Sequence, residues 1–293
     1  MDTAYREMNI SVYIPSYNQK EYLVQAVESV LNQTLQPFEI LIIDDGSTDG
    51  SQEVIRSLAN ANSKVRYLFN ERNEGIARVR KKALENIRGD YVTYVDGDDL
   101  YLPNKLSIDA KLMSSGKYDL VFSNNMYVDP DDPGNVKWIW AHNESEFPSP
   151  GNMYYATLAR EFPRMSLFRM EMINVNLLRS VGTYDENLQI YEDYDFRVRL
   201  SERANINFSL EPTTKIRISK RGLSKSDPEV HRKNLEYIFA KHRRAIESLP
   251  VPLKTRMQRR MQMILDKHNS SSMEQKHSGD NFVNRMFRLI RRK

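Results

Sequence analysis

A chain of 293 residues is long enough to bury a substantial core, in one large α/β domain with appendages or in two modest domains. With 40% hydrophobic and 28% charged residues, 11 Gly and 12 Pro, it is neither collagenous, low-complexity nor disordered, and the absence of Cys excludes disulfides, thiolate metal sites and cysteine nucleophiles. The net charge of +4 hides an asymmetry: residues 215–293 carry 21 Lys or Arg against 7 Asp or Glu, whereas residues 1–214 carry 22 against 32. A basic C-terminal region points to a polyanion, either nucleic acid or the anionic face of a membrane.

The N-terminus from Met1 to Asn9 carries Asp2, Arg6 and Glu7 without an apolar stretch, and no run of about 18 apolar residues occurs, so a soluble cytoplasmic protein is expected. Asn9 to Pro15 is a β-branched run ended by Pro, and Glu21 to Gln33 places Leu23, Ala26, Val27, Val30 and Leu31 at helical spacing. Glu39 to Ile43 reads as a strand buried on both faces, followed by a polar loop and a helix from about Ser51 to Asn60. Val65 to Phe69 predicts a third strand, Gly75 to Ile87 a third helix, and Asp90 to Val95 a fourth strand ending at an acidic cluster. This alternation predicts a mostly parallel, doubly wound α/β sheet with right-handed crossovers, whose ligands sit at the carboxyl ends of the strands.

After Pro103 a helix to about Ser114 and a strand from Tyr118 to Ser123 follow, then a Pro- and Asp-rich stretch, Asn124 to Pro150, expected to form a loop or hairpin over the site. Helical patterns return at Met153 to Glu161, Glu171 to Val181 and Asp193 to Arg203. Beyond Ser219 the pattern is helical and basic: Pro228 to Leu249, Pro252 to His268, a polar Ser270 to Asp280 linker, and Asn281 to Lys293.

Three strand ends carry polar loops. Asp96-Gly97-Asp98-Asp99 sets three carboxylates within four residues, an arrangement that either forms a solvated turn capping a helix or holds a hard cation, Mg²⁺ or Mn²⁺, together with a diphosphate. Asp44-Asp45-Gly46-Ser47-Thr48-Asp49 offers Ser47 or Asp49 as a helix cap, while Asp44 and Asp45 stand where an acceptor reads a base edge or ribose hydroxyls. Pro15-Ser16-Tyr17-Asn18 supplies hydroxyls, an aromatic face and backbone N–H groups near a helix start.

The succession IPSYNQKEYLVQAVESVLNQT, EILIIDDGSTDGS, NEGIARVRKKAL and GDYVTYVDGDDLYLPNKL resembles the N-terminal half of family 2 glycosyltransferases, GT-A fold enzymes that use nucleotide-diphosphate sugars. A sparser resemblance covers Ser166 to Leu200, ending in the acidic Glu192-Asp193 pair. The resemblance implies a GT-A catalytic domain over residues 1–218, with a nucleotide-sugar half at 9–106 and an acceptor half at 107–218, and a basic helical extension at 219–293. It further implies that Pro15, Ser16, Tyr17 and Asn18 cradle the nucleoside and that Asp44 or Asp45 bonds the uracil or ribose. Arg80 or Arg78 would lie near the diphosphate, Asp96 near the ribose, Gly97 among the donor-binding residues, Asp98 with Asp96 at the metal, and Asp193 would act as base. An inverting transfer needs such a carboxylate to take the proton of the acceptor hydroxyl and a cation to stabilise the departing nucleoside diphosphate. On its own, the acidic run Tyr191 to Asp195 equally suits the first turn of a helix.

Trp138 and Trp140 either stack on a sugar on the acceptor side or pack in a core or hairpin, and Glu192 joins them as an acceptor-side candidate. The segment KIRISKRGLSKSD lacks the His that similar sequences use on the metal, and its Arg217, Lys220 and Arg221 are alternative grips on the diphosphate. His142, His242, His268 and His277 show no metal-ligand spacing. In the tail, Phe282, Met286, Leu289 and Ile290 form an apolar stripe beside Arg288, Arg291, Arg292 and Lys293, which suits an interfacial helix on anionic lipid or a helix docked on protein. The resemblance therefore implies a UDP-sugar-dependent, divalent-metal-dependent, inverting transferase acting on a cell-surface polysaccharide or lipid-linked glycan, and the basic tail adds the expectation of a peripheral place on the inner face of the membrane, without a nucleic-acid partner. A non-catalytic sugar-nucleotide or polyanion-binding protein on the same scaffold is the alternative.

Overall fold

The computed structural model describes residues 4–218 and 226–269, and the chain divides into two compact units, Met1–Ser224 and Lys225–Lys293. The first unit begins as strand β1 (Ile10–Ser16), helix α1 (Lys20–Leu31), β2 (Glu39–Asp44), α2 (Ser51–Ala61), β3 (Val65–Phe69), α3 (Ile76–Asn86) and β4 (Tyr91–Tyr94). It continues with β5 (Leu100–Tyr101), α4 (Lys105–Met113), β6 (Leu120–Val128), β7 (Val136–Ile139), α5 (Tyr154–Leu158), β8 (Met172–Asn174), α6 (Val175–Val181), α7 (Glu192–Arg203) and β9 (Ile206–Arg217).

These strands form one sheet in the order β3-β2-β1-β4-β8-β6-β9-β5, with β7 paired to β6. The first four are mutually parallel, as short crossover helices require, and β6 and β9 are parallel to each other, while β8, β7 and β5 add antiparallel pairs. Both faces of β1 and β2 are buried, which explains their continuous apolar runs. Leu23, Ala26, Val27 and Val30 form the stripe by which α1 covers the sheet, and each buried aliphatic side chain contributes roughly 1.5–3 kcal/mol. The predicted doubly wound α/β architecture is thus present, and its parallel strand ends lie side by side.

Three differences from the sequence expectations lie in the second half. The helix expected over Glu171 to Val181 starts only at Val175, where Asn174 caps it by accepting from the Asn176 N–H at 2.9 Å, and residues 172–174 form β8. The strand expected at Tyr118 to Ser123 runs to Val128 and returns as β7, so part of the Asn124 to Pro150 stretch is a hairpin. The twelve-residue β9 was not expected, because Glu211 and Pro212 interrupt its apolar pattern; Pro212 sits where the β6–β9 register shifts, a place that tolerates a missing N–H.

The second unit comprises α8 (Pro228–Lys241), α9 (Arg243–Glu247) and α10 (Val251–Asn269), packed on one another. Asp227 caps α8 by accepting from the Glu229 N–H at 2.7 Å. No helix among the described residues is long and apolar enough to cross a membrane. The amphipathic stretch at 281–293, with His277, Lys220 and Arg221, lies outside the described residues.

Candidate active site

At the end of β2 the Asp44 to Asp49 loop is wired largely to itself and to the loop after β1. Asp44 is fully buried and accepts from the Ser47 N–H, the Ser47 hydroxyl and the Gln52 amide. Asn18, held at φ 52°, donates its N–H to Ser47 Oγ and accepts from the Thr48 N–H, each at 2.8 Å. Asp49 accepts from the Lys20 N–H at the start of α1 and from the Ser51 N–H at the start of α2, so one carboxylate caps two helices. Gly46 adopts φ 73°, and a Cβ there would lie 2.6 Å from the Arg72 carbonyl carbon.

Asp45 accepts from the Asn70 amide at 2.8 Å and from the Glu74 and Gly75 N–H groups at 2.9 Å. Its carboxylate is occupied in holding the 70–75 loop at the start of α3, and that loop aims α3, which carries Arg80. Tyr17 is 46% exposed above Pro15 and Ser16, so its ring is open to a flat ligand.

The Asp96 to Asp99 loop follows β4. Gly97 donates its N–H to the Pro15 carbonyl, and a Cβ at Gly97 would lie 2.4 Å from Gln19 Oε1 and 3.1 Å from that carbonyl; the two loops meet this closely because position 97 has no side chain. Asp96 accepts from Arg80 Nη2 at 2.8 Å and from Arg169 Nη2 at 3.1 Å. Arg80 is buried, stacks its guanidinium 4.5 Å from the centroid of Tyr94, and brings Nε to 3.7 Å from Glu192 Oε1. Arg78, the other candidate, is half exposed and pairs instead with Glu186.

Asp98 contrasts with its neighbour. Burial and the Asp96 charge push its carboxyl up, and among the described residues no other residue donates a hydrogen bond to it. Asp99 is buried deeper, is raised further by burial and by Asp98, and accepts from the Arg217 N–H at 2.8 Å. A carboxylate in this state fits a divalent cation, which would supply the missing positive charge. No three His, Asp or Glu side chains among the described residues converge on one point, so such a cation would draw its remaining ligands from diphosphate and water.

Glu192 and Asp193 occupy the first turn of α7, which Tyr191 enters at φ 65°, a costly conformation for a non-glycine residue. Burial and the adjacent Asp193 push the Glu192 carboxyl up to about 7. Burial opposes ionisation of Asp193 as well, but Arg197, Arg80 and Arg169 outweigh it and hold that carboxyl far below the usual range. Arg197 lies at i+4 on α7 and donates Nη1 to Asp193 at 2.6 Å, Nη2 to Tyr94 Oη at 2.6 Å and Nε to Glu171 at 3.1 Å.

Arg80 and Arg169 thus link the two acidic segments: both bond Asp96, Arg80 stands 3.7 Å from Glu192, both charges bear on Asp193, and the Gly97 N–H ties the Asp96 to Asp99 loop to Pro15. Among the buried polar atoms without a hydrogen-bond partner are Ser16 Oγ, Arg80 Nε and Nη1, and Arg169 Nε. Unpaired cationic donors of this kind have the capacity to bond an anionic group. Arg169, Arg197, Glu171 and Tyr94 were not singled out from the sequence, although the i+4 spacing of Asp193 and Arg197 carries a signal.

The two tryptophans part company. Trp140 is 1% exposed, donates Nε1–H to the Pro163 carbonyl and packs against Phe122, Phe147 and Phe162, so it is a core residue and does not face an acceptor. Trp138 lies on β7, stacked 4.9 Å from Tyr127 and partly exposed. Arg217 does not point at a diphosphate; its three donor positions are taken by backbone and side-chain oxygens.

A parallel α/β half-sheet continued by a mixed half, as here, is the architecture of the GT-A fold. The family model for glycosyl transferase family 2 matches residues 11–176, and the chain belongs to that family. An uncharacterized glycosyltransferase of Haemophilus influenzae is 31% identical over 218 residues, covering 73% of this chain and 81% of that protein. One from Rickettsia bellii is 29% identical over 213 residues, and there the chain spans only 29% of the relative's length. Among solved structures, Staphylococcus aureus TarS 1-349 in complex with UDP-GlcNAc superposes with a TM-score of 0.68 at 20% identity, over 90% of this chain and 73% of that one, a likeness of fold.

Proposed function

We propose that the chain transfers a sugar from a nucleoside-diphosphate donor, a UDP-sugar, to a hydroxyl of a cell-surface polysaccharide or lipid-linked glycan, inverting the anomeric centre. The observation that carries this reading is Arg80, which joins the two acidic motifs by pairing with Asp96 at 2.8 Å while standing 3.7 Å from Glu192. Two of its guanidinium nitrogens are buried without a hydrogen-bond partner, which leaves cationic donors for a diphosphate. The UDP-GlcNAc complex of the structurally similar TarS supports a UDP-sugar as donor.

In this reading Tyr17 stacks on the base, Asn18 and the Asp44 loop shape the nucleoside cradle, and Asp96, oriented by Arg80 and Arg169, bonds the ribose. Asp98 would hold Mn²⁺ or Mg²⁺, which would supply positive charge against the leaving diphosphate. Arg80 and Arg169 add donors to the same oxygens. Asp193 accepts the proton of the attacking hydroxyl on Oδ1, the oxygen that Arg197 does not bond and that accepts only the Tyr194 N–H, at 2.8 Å, so a lone pair is left for the proton. The arginines around Asp193 keep it ionised but make it a weak base, so leaving-group stabilisation carries more of the barrier than proton removal. Trp138, on the hairpin, is placed on the acceptor side.

The test is product formation from a panel of UDP-sugars with extracted glycan or glycolipid acceptors, followed by mass spectrometry. Transfer by the wild type and its loss in Asp193→Asn, with UDP binding retained, supports the assignment. Equal transfer by Asp193→Asn removes that residue from the role of base.

A further inference from the structure

Arg217, the last residue of β9, lies outside both acidic motifs and yet is tied to one of them. Its side chain is buried, with 5% of the residue exposed, and all three of its donor positions are used. Nε donates to the Pro130 carbonyl at 3.1 Å, in the turn between β6 and β7; Nη2 donates to Gln25 Oε1 at 2.6 Å, on α1; and Nη1 donates to the main-chain carbonyl of Asp98. The guanidinium also lies 4.8 Å from the centroid of Tyr22, again on α1. The Arg217 main-chain N–H completes the set by donating to Asp99 Oδ1 at 2.8 Å.

We propose that Arg217 is a positioning residue for the cation site: by clamping the Asp98 carbonyl between α1 and the β6–β7 turn, it fixes the direction of the Asp98 carboxylate, which no other described residue holds. The inference rests on the reading of Asp98 as the cation ligand. A planar guanidinium suits the task because three acceptors lying in different directions need a rigid fork of donors, which an ammonium group does not supply. The acceptors come from α1, from the Asp96 to Asp99 loop and from the hairpin on the acceptor side. The cation site is thereby set by contacts from both halves of the first unit.

Arg217→Lys keeps a positive charge near this position and loses the three-way fork. Gln25→Ala removes only the Nη2 anchor on an exposed stretch of α1, so it leaves the core intact.

The experiment is thermal unfolding of the full chain at fixed UDP with Mn²⁺ titrated, for wild type, Arg217→Lys and Gln25→Ala. Removal of an outer-shell partner typically lowers metal affinity roughly 10–100-fold. Arg217→Lys is expected to raise the half-saturating Mn²⁺ concentration about tenfold, and Gln25→Ala is expected to raise it about threefold, by weakening the same clamp. Wild-type Mn²⁺ titrations in Gln25→Ala and in a folded Arg217→Lys overturn the proposal. If Arg217→Lys does not fold, Gln25→Ala alone decides, since it tests the same clamp. A wild-type protein that gives no shift with UDP and Mn²⁺ contradicts the donor reading itself, an outcome distinct from failure of the clamp.

Discussion

Arg197 reaches back one turn of α7 and sets its Nη1 2.6 Å from Asp193 Oδ2, while Glu171 and Tyr94 occupy its other donors. A buried arginine with three fixed acceptors cannot swing away, so Asp193 is held in one rotamer with its second oxygen directed elsewhere. Asp193→Asn is expected to lower transfer by about 10²–10⁴-fold, the usual worth of a positioned base, while changing donor affinity less than threefold. Steady-state kinetics against donor concentration check it.

Glu192 gives the site a pH signature. Burial and Asp193 raise its carboxyl to about 7, from 4.5 in the unfolded chain. The folded protein therefore keeps this proton where the unfolded chain loses it. The resulting stability is full below about pH 4.5 and is lost as pH rises through about 7. Urea unfolding midpoints between pH 4.5 and 8 are expected to fall more steeply for the wild type than for Glu192→Gln, whose side chain has no proton to lose. Parallel curves for the two proteins contradict the assignment.

The tryptophans separate core from surface. Trp140→Ala is expected to destabilise the protein by about 3–5 kcal/mol, because it opens a cavity among Phe122, Phe147 and Phe162 and removes the indole hydrogen bond to the Pro163 carbonyl. Trp138→Ala is expected to cost less than half of that, and denaturant melts of the two variants check the order.

The first half of the chain was readable because its parallel strands are buried on both faces, so Glu39 to Ile43 shows as an unbroken apolar run ending at Asp44. The motif residues Asp96, Asp98 and Asp193 were placed by resemblance to a family, and Arg80 separates from Arg78 only when the structure shows which one pairs with Asp96. Short or interrupted strands left little trace: β8 has three residues, and β9 contains Pro212 at a register shift. The carboxylate assignments in the Asp44 to Asp49 loop depend on which N–H groups point inward, and residue types alone do not encode that direction. Trp138 and Trp140 stand two apart in sequence, yet β7 ends at Ile139 and the chain turns the second ring into the core.

The measurement that bears most directly on the donor site is thermal unfolding with UDP, with and without Mn²⁺, in the wild type and in Asp98→Asn. At about 100 times its dissociation constant UDP with Mn²⁺ is expected to stabilise the wild type by roughly 2.7 kcal/mol. In a domain of this size that is about 5–10 °C, and most of it is expected to be absent in Asp98→Asn. A wild-type protein whose unfolding is indifferent to UDP and Mn²⁺ together contradicts the account.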